Sequence, residues 1–421
     1  MEKIVTSQKR KFLSAKIHKN KLWIALYFIL FFTLSSCATN FKTEITKYVA
    51  IGDSLTAGFQ NGGLVEDYQK YSYPNIIAKQ LGIKDFQQPL IFQPGIPPVL
   101  KLVGLNPLDF RRKNGFGYKK NPNPPRFHDN LGIPGATLYS ALHPDDSESV
   151  GLNPFFNIVL GESGSIINQV LLLKPKLITF WLGHSEILSG VMKGKVIYGK
   201  TIFPPEKFAY YLDQTLEKLS VSGAKIVMAN LFDVTQIPFV TALPIFIQDP
   251  FSGEIVLDEK GNPVPFIGPE GPMTEGWHIT QAALGFVNLG YGIPVSYGGI
   301  EHPLSDEQTL SPIEISDLRE LVSQYNRIIE DAAAKHGAVL VDIYCLFNRI
   351  TKNGYIVGDI KYTIDFPNGG LISYDGIHPS TLGYAITANE FIKKINESFN
   401  YDIPLFPYEE LIKEEGFFKI N

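Results

Sequence analysis

Short apolar runs alternate with amphipathic segments along this 421-residue chain. Runs rich in β-branched or aromatic residues predict strands at 47–52, 177–182, 225–231 and 338–344. Apolar residues spaced near 3.6 predict helices at 73–81, 164–174, 205–222, 313–336 and 381–398. Three of these helices are followed by glycines that are typical C-terminal stops, namely Gly82, Gly223 and Gly337. Alternating strands and helices predict a mostly parallel sheet with helices on both faces, a three-layer α/β/α sandwich.

The first predicted strand runs into a turn that carries a serine. Residues 48–59 read YVAIGDSLTAGF, with Ser54 between Gly52 and Gly58. Ligands of open α/β sheets bind beyond the carboxyl ends of the strands, so Ser54 occupies a position typical of a site residue. A much later segment, SYDGIHPSTLGY, supplies Asp375 and His378.

These three residue types form a chemical set. A serine hydroxyl is a weak nucleophile until an imidazole takes its proton, and a carboxylate then holds the imidazole ring. Asp375 precedes His378 by three residues in a short loop, so one turn can aim the carboxylate at one ring nitrogen while the other nitrogen faces Ser54. The combination predicts a serine hydrolase. Each segment alone also fits a plainer interpretation, a turn or cap serine and a capping aspartate beside a surface histidine.

In their order, these segments resemble the sequence blocks of the GDSL, or SGNH, family of serine esterases and lipases. The first block is GDSL at 52–55, the last is DGIH at 375–378, and NLGIPGAT matches the second block with Asn130 and Gly135. The resemblance implies a flavodoxin-like SGNH-hydrolase fold and a reaction that needs no cofactor. It also implies Ser54 as nucleophile, His378 as base, Asp375 as the carboxylate that orients it, and the N–H groups of Ser54 and Gly135 as oxyanion donors.

The third block departs from the family pattern. The chain reads FWLGHSEIL, which keeps Gly183 and Glu186 but places Ser185 where the family has an asparagine that donates to the oxyanion. A serine hydroxyl is shorter and can rotate away, and loss of one oxyanion donor costs about 2.7–4 kcal/mol. His184 is either a substitute donor or a solvated loop residue. Two functions stay open. The first is a serine esterase that acts on lipid, acyl or acetylated-glycan esters, with its activity reduced by the missing asparagine. The second is a catalytically impaired surface lipoprotein of the same fold that binds glycan or lipid.

The N-terminal segment resembles the signal peptide of a bacterial lipoprotein. Residues 1–21 carry seven Lys or Arg and one Glu, residues 22–34 are an apolar run, and LSSC follows, ending at Cys37. Thirteen apolar residues are short for a bilayer span, which needs about 20. We expect cleavage after residue 36, lipidation of Cys37 and a tether at 37–45, which would anchor the protein in the cell envelope outside the cytoplasm. Ala38 favours the outer membrane, and an uncleaved anchor with an incidental cysteine is the alternative.

The remaining chain is predicted to be one catalytic domain at 46–400 with a tail at 401–421. Two long stretches interrupt its pattern. Residues 84–128 are rich in proline and form a predicted basic arm, which is either a solvated charged segment or a site for an anionic substrate or phospholipid headgroups. Its basic residues are Lys101, Arg111, Arg112, Lys113, Lys119, Lys120 and Arg126. Residues 234–310 contain a predicted β-hairpin that turns at 259–262, and they form either an ordered cap over the strand ends or a decoration of the flank.

Composition narrows the function further. Without its first 36 residues the chain holds 31 basic and 41 acidic residues, which argues against nucleic-acid binding. Its remaining cysteine, Cys345, lies in the apolar run AVLVDIYCLF and is predicted to be a buried thiol, so no disulfide framework is expected. The eight histidines show no paired metal-ligand spacing, and no metal site is predicted. Structural roles are expected for Asp53 in the serine turn, Asp233 at a strand end and Asp342 within a buried strand.

Overall fold

The computed structural model describes residues 45–105, 107–143, 153–161 and 164–411. The predicted signal peptide, Cys37, most of the tether and residues 412–421 lie outside these ranges. Among the helices that the structure describes, none combines the length and the apolar character required to cross a membrane.

A five-stranded parallel sheet forms the centre of the fold. Its strands are β1 (Tyr48–Gly52), β4 (Asn130–Gly132), β5 (Leu177–Trp181), β6 (Lys225–Ala229) and β11 (Val339–Val341). They lie side by side in the order β11–β6–β5–β1–β4. Every residue of β1 and β5 is buried. Because both faces of these strands are covered, their sequences read as continuous apolar runs without polar alternation.

Helices cover both faces of this sheet. On one face Tyr73–Gln80 packs against Thr381–Phe399, and on the other Pro205–Ser220 packs against Pro312–His336. The other described α-helices are Ser54–Ala57, Glu66–Gln69, Leu138–Leu142, Pro154–Leu160, Ile166–Leu173, Ser185–Lys193, Pro238–Thr241, Leu284–Val287 and Ile343–Asn353. The α/β/α architecture expected from the alternating pattern is confirmed.

The apolar run at 338–344 differs from its prediction as a single strand. The strand predicted at 338–344 ends at Val341, and Asp342 instead caps the helix Ile343–Asn353 by accepting a 2.9 Å hydrogen bond from the Cys345 N–H. Asp342 has the structural partner that was expected, because it also accepts from the Asn230 side chain at 2.8 Å. Cys345 is exposed, so the prediction of a buried thiol was wrong. A half-buried edge strand and the start of a helix share this run, and the run's composition conceals the boundary.

Both long interruptions are folded. The first contains an antiparallel hairpin of β2 (Leu100–Leu105) and β3 (Leu108–Arg112), so the arm is ordered rather than irregular. The second surrounds an apolar cluster of its own: Ile247, Val264, Phe266, Met273, Ile279, Ala283 and Leu304. Its predicted hairpin is present, with Leu257 paired to Pro263 across the turn. The remaining strands are β7 (Ile267–Gly268), β8 (Gly271–Pro272), β9 (His278–Ile279), β10 (Thr309–Leu310), β12 (Tyr355–Val357) and β13 (Ile360–Tyr362).

Candidate active site

Ser54 is the first residue of a one-turn helix that begins directly after β1. Asp53 caps this helix, since its Oδ1 accepts the Leu55 N–H at 3.0 Å, which confirms its expected role in fixing the turn. Gly52 has no room for a side chain, because a Cβ there would collide with Thr56 and with the Trp181 carbonyl oxygen. The close approach of neighbouring strands and helix thus requires glycine before the serine.

Ser54, His378 and Asp375 form one continuous line of hydrogen bonds. Ser54 Oγ lies 2.8 Å from His378 Nε2, and His378 Nδ1 lies 3.0 Å from Asp375 Oδ2. The other carboxylate oxygen of Asp375 accepts the N–H groups of Ile377 and His378, both at 2.9 Å. Burial acts to raise the pKa of Asp375, but the charge of His378 and these hydrogen bonds outweigh it and lower the pKa to about 2. The carboxylate is therefore ionised at neutral pH.

The three residues expected to bind the oxyanion, Ser54 among them, line the same cleft. Ser54, Gly135 and Ser185 follow the adjacent strands β1, β4 and β5, and all three line one cleft together with His378. Gly135 has φ of +78°, a conformation that favours glycine. Within the part of the chain that the structure describes, the N–H groups of Ser54 and Gly135 donate to no protein acceptor. Both N–H groups are thus available to an oxyanion.

Asn130 supports this arrangement from behind. Its side-chain amide donates to the Thr56 carbonyl at 3.0 Å, and its Oδ1 accepts the Gly132 N–H at 3.0 Å. The side chain therefore ties β4, which leads to Gly135, to the helix that begins with Ser54. Asn130 positions backbone and does not itself line the cleft.

Glu186 has a structural role that its sequence context did not reveal. It is buried, and its Oε1 accepts the Leu138 N–H at 2.6 Å, which ties the Ser185 helix to the segment just after Gly135. Burial raises the pKa of Glu186 to about 8 despite this hydrogen bond. Burial likewise raises the pKa of Asp53 to about 7, against the Leu55 hydrogen bond and the charge of His378. Two buried carboxyl groups thus lie beside the site.

His184 is fully buried, so its interpretation as a solvated loop residue was wrong. Its ring packs between Trp181 and Phe232, at centroid distances of 5.4 and 4.2 Å, and neither ring nitrogen has a hydrogen-bond partner among the described residues. Burial, assisted by the charge of His378, lowers the pKa of His184 to about 3. The residue does not line the cleft, which argues against a role as substitute oxyanion donor.

The cleft at Ser54 has a volume of about 850 Å³. Both insertions build its walls: the first contributes Pro97, Leu100, Phe110 and Arg112, and the second contributes Phe239, Gln281, Ala282, Leu284 and Gly285. The second insertion therefore shapes the cleft, which favours the cap interpretation over decoration of the flank. No local motif marked these lining residues, because the tertiary fold alone brings them to the serine.

Asp233 has the structural role that was expected of it. Asp233 accepts the backbone N–H and the hydroxyl of Thr235 in the turn after β6, as expected for a residue at a strand end. Among the described residues, no three His, Cys, Asp or Glu side chains come together in a way that could hold a metal ion.

Comparison with known proteins identifies the family. The model of the family described as GDSL-like Lipase/Acylhydrolase matches residues 48–391. No match was found among curated proteins. The chain is similar at 14% identity and a TM-score of 0.38 to an acetylxylan esterase from Geobacillus stearothermophilus, with 85% of this chain and 98% of that chain covered. A GDSL-like lipase from Parabacteroides merdae, described as putative, is similar at 12% identity and a TM-score of 0.37, with 83% and 95% covered. By the match of its family model over most of its length, the chain belongs to the GDSL-like lipase/acylhydrolase family.

Proposed function

We propose that the protein is a lipid-anchored, extracytoplasmic serine hydrolase that cleaves carboxylic esters through an acyl-enzyme. The observation that carries this proposal is the unbroken line of hydrogen bonds from Asp375 through His378 to Ser54 at the wall of a large cleft. The lipoprotein-like segment that ends at Cys37 supports the anchor.

In the first step of the proposed reaction each group has its own role. Ser54 Oγ attacks the ester carbonyl carbon while His378 Nε2, 2.8 Å away, takes its proton. Asp375 stays ionised and stabilises the imidazolium that forms. The negative charge that develops on the carbonyl oxygen is stabilised by the N–H groups of Ser54 and Gly135, with the Ser185 hydroxyl as third donor.

The second half of the reaction uses the same groups in reverse. His378 gives its proton to the departing alcohol, which leaves the acyl group on Ser54. A water molecule then enters, His378 takes a proton from it as its oxygen attacks the acyl carbon, and His378 returns that proton to Ser54 Oγ as the carboxylic acid leaves. No cofactor takes part in this proposed sequence.

The volume and the apolar lining of the cleft favour an ester substrate with a sizeable apolar portion. Its volume of about 850 Å³ lies in the range of pockets that enclose whole small molecules. Apolar side chains dominate its lining: Phe59, Pro97, Leu100, Phe110, Leu188, Met192, Phe239 and Leu284. We therefore favour acyl chains longer than acetyl.

The decisive experiment uses a fluorophosphonate, which labels an activated serine without knowledge of the natural ester. The chain beginning after Cys37 is treated, and the adduct is located by mass spectrometry. We expect labelling at Ser54 that disappears in Ser54→Ala and in His378→Ala. Folded protein that takes up no label would contradict an esterase and favour the alternative that Ser185 motivates, an impaired protein that binds glycan or lipid.

The anchor needs a separate experiment. The full chain is expressed in bacteria supplied with radiolabelled palmitate, and the label is expected in the membrane fraction. A Cys37→Ala variant should carry no label. Equal labelling of both chains would exclude Cys37 as the lipidated residue.

A further inference from the structure

Positive side chains line the proposed site and a pocket beside it. Arg112 lines the cleft, while Lys101 and Lys113 line an adjoining pocket of about 460 Å³ that shares Leu100 with the cleft. Among the described residues that line these two pockets, Asp375 is the sole carboxylate, and it is bound to His378. The whole chain has a formal net charge of −4, so this concentration of positive charge is local.

These three cations have no carboxylate partner within the described ranges. Other basic residues of the same insertion do: Arg111 pairs with Asp109 at 2.8 Å, and Lys120 pairs with Glu66. Arg112 is held by neutral groups instead, since its Nη1 donates to the carbonyl oxygens of Gly62 and Pro98 at 3.0 and 2.8 Å. Its charge is thus fixed in place without being neutralised, an arrangement that attracts an anion.

The position of Arg112 relates it to one half of the substrate. During acyl transfer the imidazole gives its proton to the departing alcohol, so the alcohol lies on the His378 side of Ser54. Gly62 links Arg112 to that side, because its carbonyl accepts from Arg112 and its N–H donates to Asp375 at 2.8 Å. The hairpin of β2 and β3 thus faces the leaving alcohol. The wall that follows Ser185 is apolar at Leu188 and Met192.

A fourth cation lies elsewhere in the cleft. Lys193 ends the helix that starts at Ser185, about 12 Å further along that wall at 1.5 Å per residue. It is too far along the helix to accompany the reacting ester bond. Arg112 is therefore the cation of the cleft that hydrogen bonds tie to the triad, through Gly62.

We infer that the enzyme selects esters whose alcohol half carries a negative charge, which Arg112 binds at the wall of the cleft while Lys101 and Lys113 add to the local positive potential. This inference rests on the proposed esterase function and adds a substrate class to it. The recognised group is an anion such as a phosphate on the alcohol, and the acyl half is uncharged.

Three butanoyl esters that share their acyl group test the inference: 1-butanoylglycerol 3-phosphate, neutral 1-butanoylglycerol and cationic butanoylcholine. We expect kcat/KM to be highest for the phosphate ester, at least about tenfold above the neutral ester, and lowest for the choline ester. The preference should weaken at high salt, because screening reduces attraction between exposed charges. Equal kcat/KM values for the three esters would overturn the inference and leave the esterase function intact.

Charge-removing variants locate the recognition. In Arg112→Gln the ratio of kcat/KM for the phosphate ester to that for the neutral ester should fall at least about tenfold. A folding defect lowers both values together and leaves this ratio unchanged. Lys218→Gln is the matched control, since Lys218 is exposed near the end of the helix Pro205–Ser220, at the opposite edge of the sheet. A ratio unchanged in Arg112→Gln would assign the preference to other residues and overturn the proposal.

Binding without turnover separates this inference from the proposed function. Ser54→Ala is titrated by calorimetry with the phosphate ester and with the neutral ester, and tighter binding of the phosphate ester is expected. Equal affinities would overturn anion recognition even in an active esterase. Preferential binding by a protein whose unmodified form hydrolyses neither ester would support anion recognition and contradict the esterase.

Discussion

The backbone N–H of Gly62 donates a 2.8 Å hydrogen bond to Oδ2 of Asp375, the same oxygen that faces His378 Nδ1. The turn that carries Gly62 is itself fixed to the triad loop by Asn61, whose N–H donates to Ser373 and whose Oδ1 accepts the Tyr374 N–H at 2.8 Å. The carboxylate is therefore held from two sides, and its orientation depends on a turn more than three hundred residues away in sequence.

Asn61→Ala is expected to lower kcat by severalfold with a smaller change in KM. Asn61 has φ of +53°, and the substitution removes both its bond to Tyr374 and a residue type suited to that conformation. The free energy of unfolding should fall by about 1–3 kcal/mol. Steady-state kinetics and urea unfolding measure the two effects.

Asn400→Ala provides the control for the backbone conformation. Asn400 has φ of +54° at an exposed helix C-terminus away from the cleft. Asn400→Ala should lower the free energy of unfolding without lowering kcat. Equal loss of kcat in the two variants would show that the Asn61 effect comes from general destabilisation.

Ser185→Asn is expected to raise kcat, by up to about a hundredfold if the amide fully replaces a missing oxyanion donor. Ser185→Ala should lower it, because the remaining hydroxyl donor is removed. Both variants are assayed with an ester that the unmodified chain hydrolyses. Identical kcat values in all three chains would exclude position 185 from the oxyanion hole.

The contribution of Asp53 and Glu186 to stability should fall as pH rises from about 4 to 9, and above pH 6.5, where His184 no longer titrates, stability itself should fall. The folded-state pKa values of Asp53 and Glu186, about 7 and about 8, lie above their ordinary values, so the folded protein binds more protons than the unfolded chain in this range. Their contribution is complete below the unfolded pKa near 4 and is lost as pH rises through 7 and 8. Urea unfolding at pH 5, 7 and 9 measures the trend.

Glu186→Gln should flatten that dependence, because the amide does not ionise and keeps an oxygen for the Leu138 N–H. The exposed Glu217 supplies a matched control, and Glu217→Gln should leave the pH dependence unchanged. An equally steep curve in Glu186→Gln would mean that Glu186 is not the titrating group.

At acidic pH the opposite sign is expected from His184. Its pKa of about 3 in the folded state lies below the ordinary value near 6.5, so its contribution to stability is present above pH 6.5 and is lost as pH falls toward 3. His184→Phe removes the titrating ring from its site between Trp181 and Phe232 and should reduce the loss of stability between pH 6.5 and 4. An undiminished acid loss would assign it to other groups.

Local sequence was enough to place the parts of the site that depend on neighbouring residues. The turn after β1 and the three-residue spacing of Asp375 and His378 are each encoded within a few positions, and Gly135 was identified through the resemblance of NLGIPGAT to a family block. Parallel strands then bring Ser54, Gly135 and Ser185 to one edge of the sheet. The residue set typical of a serine hydrolase can therefore be predicted from the sequence.

Other features depend on contacts between distant segments. The bond between Gly62 and Asp375 and the tie between Glu186 and Leu138 join residues that no local pattern connects. The exposed Cys345 illustrates a different difficulty, because a half-buried edge strand and the first turn of an amphipathic helix have the same apolar composition. Periodicity needs more residues than this run provides.

Ser54 and His378 are separated by 324 residues, and the histidine is carried by the loop before the helix Thr381–Phe399. That helix packs on Tyr73–Gln80, close to where the chain begins its sheet. In the proposed mechanism, Ser54 consequently has no base to activate it during synthesis until the helix Thr381–Phe399 has docked. Chemical reactivity at position 54 is thus a direct report that both ends of the domain have come together.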